Sequence, residues 1–352
     1  GEPNGNWGVL DQQAALRWAR DNAAHFGGDP ANITVFGQSA GGMSTCFLAV
    51  SPTASGLANR FIDHSGPCAL LLREMATAND LGEQVATAVS CTSGDVPACL
   101  RAASRDALMD ALVTPQLPGG VLYQEITFPH RPTLDGVTFV EQPLAALRAG
   151  HLEDAEYVFG ATTDEGTVFH HPVLATPVAN ETEMREALGR LANVVQVTPA
   201  HIDAIMARYP VASYPSANDA LMAVTTEMFI CAMRYGARLA QAAGRTVYLY
   251  RFDQEPARLA LPIGAYHGAD LIFLFGNRST LLGSPTNAPE LGPAMRGYWA
   301  RFAATGDPAG TPAWPAWTPA TDTQLRLSET IEVEDADAGM RCDFWDGLLD
   351  EL

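Results

Sequence analysis

The chain has 352 residues, 47% apolar and 17% charged, the composition of an ordinary globular protein. Its 40 acidic residues outnumber 21 basic ones, all arginine, for a formal charge of -19, so no basic stripe exists to neutralise phosphates and nucleic acid is excluded as a partner. No apolar run reaches the roughly 18 residues that a membrane span needs.

The acidity fits the solubility of an exported protein better than a field for cationic substrates. The opening "GEPNGNWGVLDQ" lacks the basic stretch and apolar run of a signal peptide. Six cysteines (Cys46, Cys68, Cys91, Cys99, Cys231 and Cys342) suit disulfides in an oxidising compartment, although six buried thiols are not unusual in a chain this long. No CxxC pair or His/Cys cluster has metal-ligand spacing, so no metal or other cofactor is expected. No composition break or long linker divides residues 1–352, and one large domain is expected.

In chain order, "GVLDQQAALRWARDNAAHF" places Leu10, Ala14, Leu16, Trp18, Ala19 and Ala23 at helical spacing, then breaks at Gly27-Gly28-Asp29-Pro30. Ile33, Thr34, Val35 and Phe36 read as a strand buried on both faces of a parallel sheet. "AGGMSTCFLAV" is helix-compatible. A strand follows at "AEYVFGA", helices at 182–193 and 199–209, a strand at "TVYLYRF" and a helix at 288–304. Short strands near 323–333 and a last amphipathic helix, "AGMRCDFWDGLLDEL", complete an α/β order with helices covering a mostly parallel sheet.

Gly37-Gln38-Ser39-Ala40-Gly41 is a G-x-S-x-G sequence between that first strand and a helix, the setting of a nucleophile elbow. Both glycines are expected to prevent collisions in so tight a turn, leaving the Ser39 hydroxyl clear of the sheet at a helix N-terminus. A serine needs a base, and the base a carboxylate to orient it. His25 and His64 lie too near the strand in sequence to serve; His170 and His171 adjoin a possible acid; His267, in "GAYHGADLIFLFG", lies in a loop after a strand. Asp164 and Glu165 follow a strand, where a loop at the carboxyl edge begins, and spacing does not choose between them.

"FGGDPANITVFGQSAGG" resembles the signature of the type-B carboxylesterases, the cholinesterase-like branch of the α/β-hydrolases. The similarity continues through "GNWGVLDQQAALRW", "HSG", "PTLDG", "GATTDEGTVF", "YHGADLIFLFG", "YWARFAATGDP", "WPAWTP" and "MRCDFWDGLL". The resemblance implies Ser39 as nucleophile, Glu165 as acid, His267 as general base and the Ala40 N–H as one oxyanion donor, acting on a small carboxylic ester. It also implies disulfides Cys91–Cys99 and Cys231–Cys342, a pattern of exported members; Cys46 and Cys68 match neither pair, so they are bonded to each other or free.

Gln38 stands where many relatives carry glutamate, which weakens any case for choline esters. Phe128, Val168 and Phe169 are expected either as pocket walls or as ordinary core. Relatives also begin upstream, with strands and a His-Gly-Gly-type loop. The N-terminal strands, further oxyanion donors and a signal peptide are therefore expected from a preceding segment or a separate chain. His25-Phe26-Gly27-Gly28 is no substitute: it precedes a five-residue strand, roughly 17 Å long, whose far end holds the serine. The rival expectation is a non-catalytic binding module of the same fold, or an inactive fragment. Asn32, Asn180 and Asn277 head glycosylation-like triplets, but lysine-free, Ala/Arg-rich usage points to a bacterial genome where such triplets arise by chance.

Overall fold

A computed structural model describes residues 5–111, 131–190, 197–336 and 339–352. Helix α1 (Trp7–Asn22) leads through a turn to β1 (Thr34–Gln38), α2 (Ala40–Val50) and β2 (Arg60–His64). A small excursion follows: β3 (Arg73–Glu74), α3 (Met75–Ala88), α4 (Val96–Ala102), α5 (Arg105–Asp110) and β4 (Thr133–Leu134). The chain then runs through α6 (Pro143–Ala149), β5 (Glu156–Thr162), α7 (Thr167–His170), α8 (Glu181–Arg190), α9 (Pro199–Arg208) and α10 (Ala217–Ala242). It ends with β6 (Val247–Phe252), α11 (Ala269–Phe275), α12 (Leu291–Thr305), β7 (Thr323–Leu327), β8 (Glu332–Asp335) and α13 (Cys342–Glu351).

Six strands form one sheet in the order β1-β2-β5-β6-β7-β8, parallel except for the last pair. Alternate residues of each strand face opposite sides. Phe61, Tyr157, Phe159, Val247 and Leu249 pack with Leu48 of α2 and Met233 of α10, whereas Ile62, Val158, Tyr248, Tyr250 and Phe252 pack with Phe273, Met295 and Trp299. Both faces are covered, which is why β5 and β6 read as nearly unbroken apolar runs.

One expectation fails. The strand at 33–36 is a strand, but not one buried on both faces: β1 pairs only with β2 among the described residues, so it is the sheet's edge. Phe36 is 50% exposed there and stacks on Phe275, itself 54% exposed. An apolar sequence marks a strand without showing whether a neighbour covers it. The first helix forms as its spacing implies; it buries Val9 and Gln13 while Trp18 is exposed. Gln13 is held inside by its amide, which donates to Ser51 Oγ and Thr53 Oγ1.

Candidate active site

Ser39 lies between the last residue of β1 and the first of α2, with φ 58° and ψ -120°, a conformation that costs a non-glycine residue about 1–3 kcal/mol. Three glycines allow the turn. A Cβ on Gly37 would lie 2.2 Å from the Gly41 carbonyl oxygen, and one on Gly66 2.3 Å from the Gly42 carbonyl carbon. A Cβ on Gly42 would in turn lie 2.8 Å from Gly66 Cα. The expectation for Gly41 itself is corrected: a Cβ there meets nothing within 4 Å, because the close approach falls one residue later.

The Ser39 N–H donates to the His64 carbonyl at 2.8 Å, and the Ser39 carbonyl accepts from Met43 N–H at 2.9 Å. Ala40 opens α2 and is exposed, so its N–H is among the first four of the helix that have no intrahelical acceptor. Beneath the turn, burial pushes the Asp63 carboxyl well above the usual carboxylate range, outweighing a Gly66 backbone hydrogen bond.

The turn after β5 separates the two acids that spacing leaves equal. Asp164 Oδ2 accepts from Ala265 N–H at 2.8 Å, tying β5 to the loop that precedes the histidine. Glu165 is fully buried, and its Oε2 meets His267 Nδ1. Its Oε1 accepts from Thr162 N–H at 2.7 Å and from the Ser65 hydroxyl. The His267 ring lies 4.9 Å from Phe169 and 5.0 Å from Phe229, and its Nε2 is buried with no hydrogen-bond partner among the described residues.

Strand register brings these segments to one edge of the sheet. Gln38 pairs with His64, His64 with Gly160 and Gly160 with Tyr250, so the residues that follow β1, β2, β5 and β6 emerge together at the carboxyl end. Gln38 reaches across to the loop that carries His267: a Cβ on Gly268 would lie 3.3 Å from its Nε2. Ser39 Oγ and His267 Nε2 share this edge without a hydrogen bond between them in this structure.

The other expected residues divide. Phe169 stacks on Phe229 at 5.9 Å and borders His267, whereas Val168 packs against the apolar cluster that includes Ile263 and Tyr266. Phe128 lies outside the described residues. His170 faces away, with Nε2 2.8 Å from Thr225 Oγ1 of α10. His25 sits in the turn before β1, at the opposite end of that strand from Ser39.

All six cysteines pair. Cys91–Cys99 and Cys231–Cys342 form, and so does Cys46–Cys68, with Cα separations of 5.7, 5.0 and 5.8 Å. Sequence reasoning does not single out Ser65 or Phe229. The quoted "HSG" contains the one, but nothing in its spacing marks a contact with a carboxylate 100 residues away. Among the described residues no group of three His, Cys, Asp or Glu side chains could hold a metal ion, and no helix is long and apolar enough to cross a membrane.

A family model described as "Carboxylesterase family" matches residues 1–345. The chain is 30% identical to carboxylesterase 5A of Felis catus, over 97% of this chain and 64% of that protein. It is 29% identical to para-nitrobenzyl esterase of Bacillus subtilis (94% and 65%) and 29% identical to liver carboxylesterase of Sus scrofa (98% and 64%). It thus spans a little under two thirds of the length of these relatives. The mostly parallel sheet with helices on both faces accords with the α/β-hydrolase fold. With nearly its whole length matched, this chain belongs to the carboxylesterase family.

Proposed function

We propose that the chain is the catalytic part of a serine carboxylic-ester hydrolase that works through an acyl-enzyme. Ser39 Oγ attacks the ester carbonyl carbon while its proton passes to His267 Nε2. Glu165 Oε2, on Nδ1, holds the ring and stabilises the imidazolium. The Ala40 N–H donates to the developing oxyanion. The leaving alkoxide takes the proton from Nε2, and water, deprotonated by the same nitrogen, releases the acid and restores Ser39.

One observation carries this reading. His267 is oriented by a fully buried carboxylate on one nitrogen while its other nitrogen has no partner among the described residues, at the sheet edge that holds a strained serine. The neighbouring Gln38 Nε2, also buried and without a partner among the described residues, together with Phe169, is assigned to substrate contact. Three disulfides suit an exported protein.

The open edge of β1 supports a second element of the proposal, that a further polypeptide segment pairs with β1 and supplies the remaining oxyanion donors. Phe36 and Phe275 offer it an apolar seat. Without that segment the chain is a weak catalyst or an inert piece, since each missing oxyanion donor costs about 100- to 1,000-fold. The test is hydrolysis of a short-chain p-nitrophenyl ester by the protein expressed from its whole reading frame. An initial burst of alcohol that Ser39→Ala abolishes supports the assignment; turnover that survives Ser39→Ala refutes it.

A further inference from the structure

Directly behind the serine lies a second histidine–carboxylate pair. His64 ends β2 and is fully buried, and its carbonyl accepts the Ser39 N–H. Its Nδ1 lies 2.7 Å from Asp270 Oδ2 and 2.8 Å from the Tyr250 hydroxyl, which donates to the same Oδ2 at 2.9 Å. On the other side, Trp299 Nε1–H donates to His64 Nε2 at 3.1 Å. An indole N–H can only point at a lone pair, so the ring proton is on Nδ1, facing Asp270.

Asp270 is also fully buried, in the first turn of α11 and three residues beyond His267. Burial alone would raise its carboxyl, but hydrogen bonds from His64 and Tyr250 outweigh it and hold the group below the usual carboxylate range. Tyr250 reaches this point because its ring lies across β5 at Gly160, where a Cβ would sit 1.9 Å from the ring.

We propose that His64 and Asp270 form a buried clamp between the nucleophile turn and the base loop, and that both are positioning residues for the reaction proposed above, on which this inference rests. The pair has no access to solvent and touches no substrate. Stability is a weak reason to keep it, because apolar side chains of similar volume commonly serve as well as a buried charged or polar pair. A fully satisfied polar network does something apolar packing does not: it admits one arrangement of the segments it joins. Here one end is a hydrogen bond from Ser39 and the other lies within a turn of His267. The clamp fixes a distance on which transfer of the Ser39 proton depends.

His64→Leu removes both hydrogen bonds of the ring. His64→Gln keeps a donor for Asp270 and an acceptor for Trp299, and Asp270→Asn removes the charge with little change of shape. With the protein expressed from its whole reading frame, His64→Leu should lower kcat and the rate of fluorophosphonate labelling by about 100-fold, the scale of a 1 Å misplacement, with KM within about twofold. His64→Gln should restore both to within about fivefold. The downfield proton resonance of His267 Nδ1–H should shift in His64→Leu and not in His64→Gln.

Should His64→Leu fail to fold, Asp270→Asn is expected to show the same pattern at about tenfold. Unchanged kcat and an unmoved resonance in a folded His64→Leu or Asp270→Asn, with only a lower melting temperature, would reduce the pair to packing and overturn the clamp. A wild-type protein that is never labelled, but whose resonance responds as stated, would defeat the esterase assignment and leave the clamp standing.

Discussion

Ser39 sits in a backbone conformation that costs serine more than it would glycine, held by the Gly37–Gly41 and Gly42–Gly66 contacts. Ser39→Gly should therefore raise unfolding stability by about 1–3 kcal/mol while ending all covalent labelling, a trade that urea titration and labelling of the same preparation will show. Glu165→Gln leaves the shape of the site but disturbs the tautomer of His267; kcat should fall by about 10,000-fold with KM little changed, as steady-state kinetics will measure. The serine and its elbow are legible in five adjacent residues, since the turn's demand is local. The choice between the two carboxylates is not, because it lies in what each meets about 100 residues later, Ala265 for Asp164 and His267 for Glu165. The same holds for Gly41 and Gly42, whose distinction lies in the approach of Gly66.

Among the elements, α2 begins directly after Ser39 and is tied at Cys46 to Cys68, three residues past Ser65, whose hydroxyl supports Glu165. Replacing both cysteines by serine should lower stability by about 3 kcal/mol, as expected for closing a loop of 22 residues, and denaturant unfolding will read it. Helix α7 docks on α10 through His170, which burial lowers from 6.5 to about 3. The unfolded chain takes up a proton there as pH falls below 6.5, and the folded chain does not until about 3. This histidine's contribution is therefore intact above that window and is lost progressively as the pH falls through it. His170→Gln, which retains a partner for Thr225, should flatten that part of the stability profile; an identical slope would contradict it.

The strand runs of β5 and β6 are visible in sequence because both faces are buried. The edge position of β1 is not, since apolar side chains do not report which backbone groups lack a neighbour. The burial of Gln13 in α1 is not legible for a related reason: it rests on hydrogen bonds rather than on hydrophobicity.

For the whole molecule, strand order and the convergence of β1, β2, β5 and β6 at one edge arise from register between distant segments, which no local pattern encodes. What sequence offers at this scale is the α/β alternation and the run of family-like segments along the chain. The exposed β1 edge also sets an expectation. In hydrogen exchange, β1 amides that point away from β2 should exchange rapidly in chain 1–352 alone and be protected in the protein from the whole reading frame; equal rates in both would refute a pairing segment.

The most direct test of the central claim is to treat the protein expressed from its whole reading frame with a fluorophosphonate probe and map the adduct by peptide mass spectrometry. A single adduct on Ser39, lost in His267→Ala, is the predicted result. A folded protein left unmodified, or modified on a different residue, would contradict it.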